Sequence, residues 1–258
     1  MSVNKFRIIP WFFSVAGSVY LFTTSSGLHL KDRMENMLHT DYAHRGLFDP
    51  KAGIPENSLK AFEMAAEKGY GIELDVHLTA DNRLVIIHDD SLLRMCGVNR
   101  KVCRTSFSDI RKCRLSGTQE KVPEFEEALD LIAGRVPVIV ELKVDDGNYN
   151  LLCPLVWQKL KKYRGIFCIE SFHPGVLMWF RFNHKEIARG QLSCSFFKES
   201  PHMDTALFIM SNLMTNFLTR PDFIAYKYTD TSNLSYQINK RLWKAKTAVW
   251  TIKNKPTY

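Results

Sequence analysis

Between residues 41 and 252 the chain switches repeatedly between a two-residue and a 3.6-residue hydrophobic rhythm. Short apolar or alternating runs read as strands at Asp41–Arg45, Gly71–Leu78, Val136–Lys143, Gly165–Phe172, Ile187–Leu192, Asp222–Tyr226 and Ala248–Ile252. Between them, apolar residues three and four apart predict amphipathic helices at Ser58–Lys68, Glu124–Ile132, Leu151–Tyr163, Gly175–Phe182, Thr205–Thr219 and Leu234–Lys244. Such alternation predicts an α/β fold, a parallel sheet with crossover helices. Residues 89–122 interrupt the rhythm and read as an insertion after the second strand, with a short helix expected at Ser108–Cys113.

The first 37 residues have a different character. Ile8 to Leu30 contain no Asp, Glu, Lys or Arg, with Lys5 and Arg7 before the stretch and Lys31 and Arg33 after it. A spanning helix needs about 20 mostly apolar residues, and this stretch reaches that length once Thr23 to Gly27 is included. The expectation is a single-pass N-terminal membrane anchor. Two other readings fit the same residues: a signal segment cleaved near Ser25, Ser26 and Gly27, giving a secreted protein, or a helix buried against the fold. Positive charge on both flanks does not set an orientation.

With 258 residues, 45% hydrophobic and 24% charged, the remainder (38–258) suits one large folded domain. Lys and Arg exceed Asp and Glu by 35 to 27, a net charge of +8 that suits a phosphate-bearing substrate or an anionic membrane surface. The basic residues are scattered and form no nucleic-acid module, so no nucleic-acid partner is expected. None of the six cysteines forms a CxxC pair, which argues against structural zinc. Cys168, inside the run Gly165 to Ile169, reads as a buried thiol.

The chemistry concentrates at strand ends. In Gly71-Ile72-Glu73-Leu74-Asp75-Val76, strand alternation points Ile72, Leu74 and Val76 one way and both carboxylates the other. Two acids aimed into one confined space repel unless they are protonated or bridged by a cation such as Mg²⁺ or Ca²⁺. Solvated acids on a half-exposed strand would give the same pattern. Glu141 and Lys143 likewise share a face at the end of Pro137–Lys143, as a third ligand with a phosphate-neutralising ammonium or as an ion pair. His44 and Arg45 end the first strand, and His88 ends the apolar run Leu84–Ile87. A forked guanidinium suits phosphate oxygens, and two imidazoles suit proton transfer.

In order, His44-Arg45-Gly46, Pro55-Glu56-Asn57-Ser58, Glu73-Leu74-Asp75, His88-Asp89 and Glu141-Leu142-Lys143 resemble the glycerophosphodiester phosphodiesterase family, over about Tyr42 to Trp250. The resemblance implies a TIM-type (β/α) barrel with a small insertion after the second strand. It implies Glu73, Asp75 and Glu141 as ligands of one divalent cation, His44 and His88 as the acid–base pair, and Arg45 on the phosphate. His173 and Trp250, also at strand ends, are expected as pocket lining or packing. Ser58 fits a helix N-cap, and Asn57 fits a turn or a ligand contact. The implied activity is hydrolysis of glycerophosphodiesters to glycerol 3-phosphate and an alcohol. A lysophospholipase D acting on lysolipids at a membrane, or an inactive lipid-binding relative, are the alternatives. One departure stands out: seven strands are counted against the family's eight, and the chain runs out at Lys255-Pro256-Thr257-Tyr258, so the eighth is expected to be lacking.

Overall fold

The computed structural model describes residues 5–26, 32–35, 37–198 and 204–252. The chain divides into two units, residues 31–189 and residues 1–30 with 190–258.

In the first unit, strands β1 (Tyr42–His44), β2 (Gly71–Leu78), β4 (Val138–Leu142) and β5 (Phe167–Ser171) run parallel in the order β1-β2-β4-β5. A further strand, β3 (Leu84–Ile86), turns back antiparallel onto the end of β2. Helices Leu59–Glu67, Phe125–Ile132, Tyr149–Leu160 and Pro174–Asn183 follow β1, β3, β4 and β5. Every residue of β2 is buried, as expected of a parallel strand covered on both faces. Its Ile72, Leu74 and Val76 pack with Phe62, Phe125, Val140 and Val156 into one apolar core. The opposite face is left to Glu73, Asp75 and His77.

Residues of the insertion hold an apolar core of their own. Leu92, Met95, Val102, Ile110, Leu115 and Val122 close over Val85 and Ile87. The short helix expected at Ser108–Cys113 forms at Phe107–Ile110, its N-cap Ser106 accepting from the Asp109 N–H.

The second unit has parallel strands β6 (Arg189–Ser193, from Gly190 onward in this unit), β7 (Phe223–Lys227) and β8 (Lys246–Trp250). The single helix expected over 205–219 is two, Thr205–Ser211 and Asn216–Thr219, because Leu213 takes a left-handed φ of 54° that no continuing helix tolerates. Among the described residues the strand count of seven is corrected to eight. The missed strand is Leu84–Ile86, too short for period-two alternation to reveal it. Among the described residues no strand follows Trp250, and residues 253–258 lie outside them.

Lys5–Thr24 is a 20-residue helix, yet among the described residues no helix is long and apolar enough to cross a membrane. The helix expected to span a membrane therefore falls short of that role. Gly17, Ser18, Thr23 and Thr24 dilute the helix, and its end is tied to its own unit. Asn216 Nδ2 donates to the Thr24 carbonyl at 3.1 Å, Arg220 Nη1 to Ser25 Oγ at 3.0 Å, and the Tyr20 and Ser235 hydroxyls bond each other. Gly27, the end of the expected cleavage site, lies outside the described residues.

Candidate active site

Parallel pairing carries the sequence alternation across strands. His44 is in register with Glu73, Asp75 with Glu141, and Glu141 with Glu170. In-register neighbours point to the same face, so these side chains share one side of the sheet. One oxygen each from Glu73, Asp75 and Glu141 come within 4.8 Å of one another, all three residues buried.

A tight turn places the next group. Arg45 (φ 62°) and Gly46 (φ 77°) are both left-handed, and the Gly46 N–H donates to the Ala43 carbonyl at 3.0 Å. This turn aims the Arg45 backbone N–H at Glu73 Oε2, 2.9 Å away. A Cβ on Gly46 would lie 2.9 Å from both Ala61 Cβ and Phe62 Cδ1. Gly46→Ala therefore lowers stability by about 1–3 kcal/mol through strain and overpacking; a thermal midpoint equal to wild type would refute that account. Ser58 is the N-cap of Leu59–Glu67, accepting from the Ala61 N–H at 3.1 Å. Asn57 both turns the chain, at φ 55°, and donates from Nδ2 to Asp75 Oδ2 at 2.7 Å. Its role in the site exceeds the turn that its sequence position suggests.

The carboxylates fit a divalent cation. Glu73 Oε1, Asp75 Oδ1 and Glu141 Oε1 are buried without a hydrogen-bond partner. The Lys143 ammonium lies 3.0 Å from Asp75 Oδ1 and 2.6 Å from Glu141 Oε1, a charge contact that leaves Glu73 Oε1 alone. Orphaned buried carboxylate oxygens are costly, and three hard donors converging from two strands are what such a cation takes.

The charges respond accordingly. Burial, then Asp75, Glu141 and Glu170, push the Glu73 carboxyl well above its ordinary value. Burial raises Glu141 to about 7, with Asp75 adding to it and Lys143 opposing. Burial would raise Asp75 too, but Lys143, His88 and Arg45 outweigh it and hold this carboxyl low. Burial works against the Lys143 ammonium, and Asp75 with Glu141 reverse the effect and keep it protonated.

His44, at the end of β1, is lowered to about 4 by burial and the Arg45 charge. His88 is lowered by burial and Lys143; its Nδ1 is 2.7 Å from Asp89 Oδ1. Asp89, brought to about 2 chiefly by hydrogen bonds from Arg94, is ionised and only accepts, so His88 carries its proton on Nδ1 and keeps Nε2 free. Arg45 Nη1 donates to Glu56 Oε1 at 3.0 Å, and its Nε lies 3.7 Å from Asp75 Oδ2.

His173 and Trp250, expected as pocket lining or packing, take the following positions. His173 caps Pro174–Asn183, its Nδ1 accepting from the Gly175 N–H at 3.1 Å while the ring stacks on Tyr149. Trp250 ends β8 in the second unit. Sequence reasoning missed Glu170, buried on β5 and raised well above its ordinary value by burial and Glu141. It also missed His77, on the same face of β2 as Glu73 and Asp75, whose Nδ1 meets Asp145 Oδ2 at 2.8 Å and whose Nε2 meets the His88 carbonyl at 3.2 Å. Period-two alternation would have found both.

Comparison with known proteins gives this geometry a context. The chain is 33% identical over 152 residues to a glycerophosphodiester phosphodiesterase of Bacillus altitudinis, covering 54% of this chain and 60% of that protein. It is 28% identical over 121 residues to lysophospholipase D GDPD1 of Homo sapiens, covering 42% of this chain and 37% of that one. The match thus spans about half the length of such relatives. Among solved structures, an Oleispira antarctica phosphodiesterase in complex with its product sn-glycerol-3-phosphate superimposes with a TM-score of 0.69 at 22% identity, over 86% of this chain and 87% of that one. A Parabacteroides distasonis glycerophosphodiester phosphodiesterase superimposes with a TM-score of 0.65 at 22% identity, over 83% and 84%. These likenesses establish a TIM-like fold. Because the model of the glycerophosphoryl diester phosphodiesterase family matches residues 44–208, more than half of the chain and all of the strand-end cluster from His44 to His173, the chain belongs to that family.

Proposed function

We propose that this chain hydrolyses glycerophosphodiesters, such as glycerophosphocholine or glycerophosphoethanolamine, to glycerol 3-phosphate and the alcohol. One observation carries the reading: three buried carboxylates bring one oxygen each within 4.8 Å of one another, next to two imidazoles and a guanidinium. A divalent cation, Mg²⁺ or Ca²⁺, held by Glu73, Asp75 and Glu141 would neutralise charge on the phosphoryl oxygens as a Lewis acid.

The remaining steps fall to side chains of the chain itself. Arg45 has a fork of donors for the phosphate. One imidazole takes the proton from the free glycerol hydroxyl as its oxygen bonds to phosphorus. The other, entering the step as the imidazolium, gives its proton to the departing alcohol oxygen as that oxygen's bond to phosphorus breaks. The cyclic glycerol phosphate so formed is opened by water with the two roles exchanged, which returns both imidazoles to their starting states. Asp89 stabilises whatever positive charge His88 acquires.

A second reading, release of lysophosphatidate from acylated lysolipids, is motivated by the relatives named lysophospholipase D. The test is purified chain with glycerophosphocholine or with lysophosphatidylcholine, each with Mg²⁺, Ca²⁺ or EDTA. Glycerol 3-phosphate formed only with a cation is expected. Product from the acylated substrate alone would select the second reading, and no product from either would leave an inactive lipid-binding relative.

A further inference from the structure

The insertion after β3 carries one side chain that touches the partners of two proposed active-site groups. Arg94 Nε donates to Asp89 Oδ2 at 2.6 Å, and Arg94 Nη2 donates to Asp89 Oδ1 at 2.9 Å. The same Nη2 donates to Glu56 Oε1 at 2.7 Å. Asp89 Oδ1 is the atom that receives His88 Nδ1, and Glu56 Oε1 is the atom that receives Arg45 Nη1 at 3.0 Å. His88, Asp89, Arg94, Glu56 and Arg45 thus form one chain of alternating partners. It joins the loop after β1 to the loop after β3.

We propose that Arg94 is a positioning residue, through which the insertion sets the orientation of both the His88 imidazole and the Arg45 guanidinium. The inference rests on the phosphodiesterase reading, and it gives the insertion a task which that reading leaves open. Only a planar fork can hold two carboxylates in this way, since its N–H groups diverge in one plane at fixed angles; an ammonium is a single point of charge. Without Arg94, Asp89 and Glu56 would each be free to turn toward water, and each would release the group it orients. The platform beneath Arg94 is rigid for a stated reason. It sits on the helix Leu93–Cys96, which Leu92 and Met95 anchor into the insertion's own core. The strand β3 in turn ties that core to β2.

Arg94 is itself 46% exposed, so its removal is not expected to unfold the chain. Arg94→Ala and Arg94→Gln should lower kcat/KM for a glycerophosphodiester by about 10–100-fold, the range seen when outer partners of active groups are removed. The loss should divide between a lower kcat, through His88, and a higher KM, through Arg45. Thermal midpoint and Mg²⁺ affinity measured by calorimetry should stay at wild-type values, and Arg94→Lys should recover only part of the loss.

The ¹⁵N signals of the His88 ring give a readout that needs no turnover. They should report a single Nδ1–H tautomer in the wild type and a mixture in Arg94→Ala. Unchanged His88 signals in Arg94→Ala would overturn the proposal whether or not the chain is active. So would wild-type kcat and KM in Arg94→Ala under conditions where His88→Ala is inactive. A fall in thermal midpoint that accounts for the lost rate would reduce Arg94 to a structural residue and overturn it as well. Failure of the phosphodiesterase reading would look different: the wild type itself would release no product while the tautomer signals still answered for Arg94.

Discussion

Millimolar Mg²⁺ or Ca²⁺ raises the thermal midpoint of the wild-type chain, and Glu73→Gln abolishes the rise while making the cation-free protein more stable than wild type. The reason is electrostatic. Glu73 and Glu141 are buried acids whose folded-state affinity for protons exceeds their affinity when unfolded. A carboxyl raised in this way favours the fold below its ordinary value of 4.5, and that contribution is lost as pH rises through the folded value, about 7 for Glu141. The cation-free protein therefore weakens between about pH 4.5 and 7. Asp75, held low, has the opposite sign, but its window lies below its ordinary value of 3.8.

Glutamine at position 73 keeps an oxygen for the Arg45 N–H and turns an amide toward the acids. The gain is about 1–3 kcal/mol, on the scale of replacing an uncompensated buried charge. A cation at 100 times its Kd adds about 2.7 kcal/mol to the wild type, or roughly 5–10 °C for a chain of this size. Differential scanning fluorimetry with and without EDTA measures all of this. A Glu73→Gln protein that melts below the cation-free wild type would contradict the argument, as would a wild type indifferent to 10 mM cation (roughly 100 Kd for a weak site).

His44→Ala and His88→Ala each lower kcat on glycerophosphocholine by about 10²–10⁴-fold, with KM changed far less, because proton transfer is lost from the transition state alone. The double variant falls little further than either single one, since both imidazoles act in the same step. The pH dependence follows from the burial of both rings. A histidine lowered from 6.5 stays neutral, and able to accept a proton, until pH approaches its folded value, about 4 for His44. The acid limb of kcat/KM should thus lie below pH 6.5. An acid limb at pH 7, or His44→Ala retaining wild-type kcat, would remove His44 from the chemistry.

Much of this site could be read before any coordinates. Glu73 and Asp75 must share a face of any strand containing both, because extended backbone repeats every two residues. The strand-like runs at 71–78, 138–142 and 167–171 announced themselves through β-branched and aliphatic residues. Neither the strand Leu84–Ile86 nor the break at Leu213 was legible, since three residues show no period and one left-handed residue leaves no hydrophobic trace. The N-terminal helix misled for a related reason. Lack of charge describes a membrane span and a helix docked by Tyr20, Thr24 and Ser25 equally well.

Lys143 illustrates the boundary between the two kinds of information. Its position beside Glu141 on one strand face follows from the sequence, but its contact with Asp75 depends on β2 and β4 pairing in one particular register. Arg94 lies further beyond reach: five residues past Asp89 and 38 from Glu56, it meets both only because the insertion folds over its own core. Local periodicity, set by backbone geometry, told which residues face together along each strand, while the order of the motifs carried the family resemblance. Only the tertiary structure decided which charges meet across strands and loops, because register and loop packing are settled by long-range contacts that no local repeat encodes.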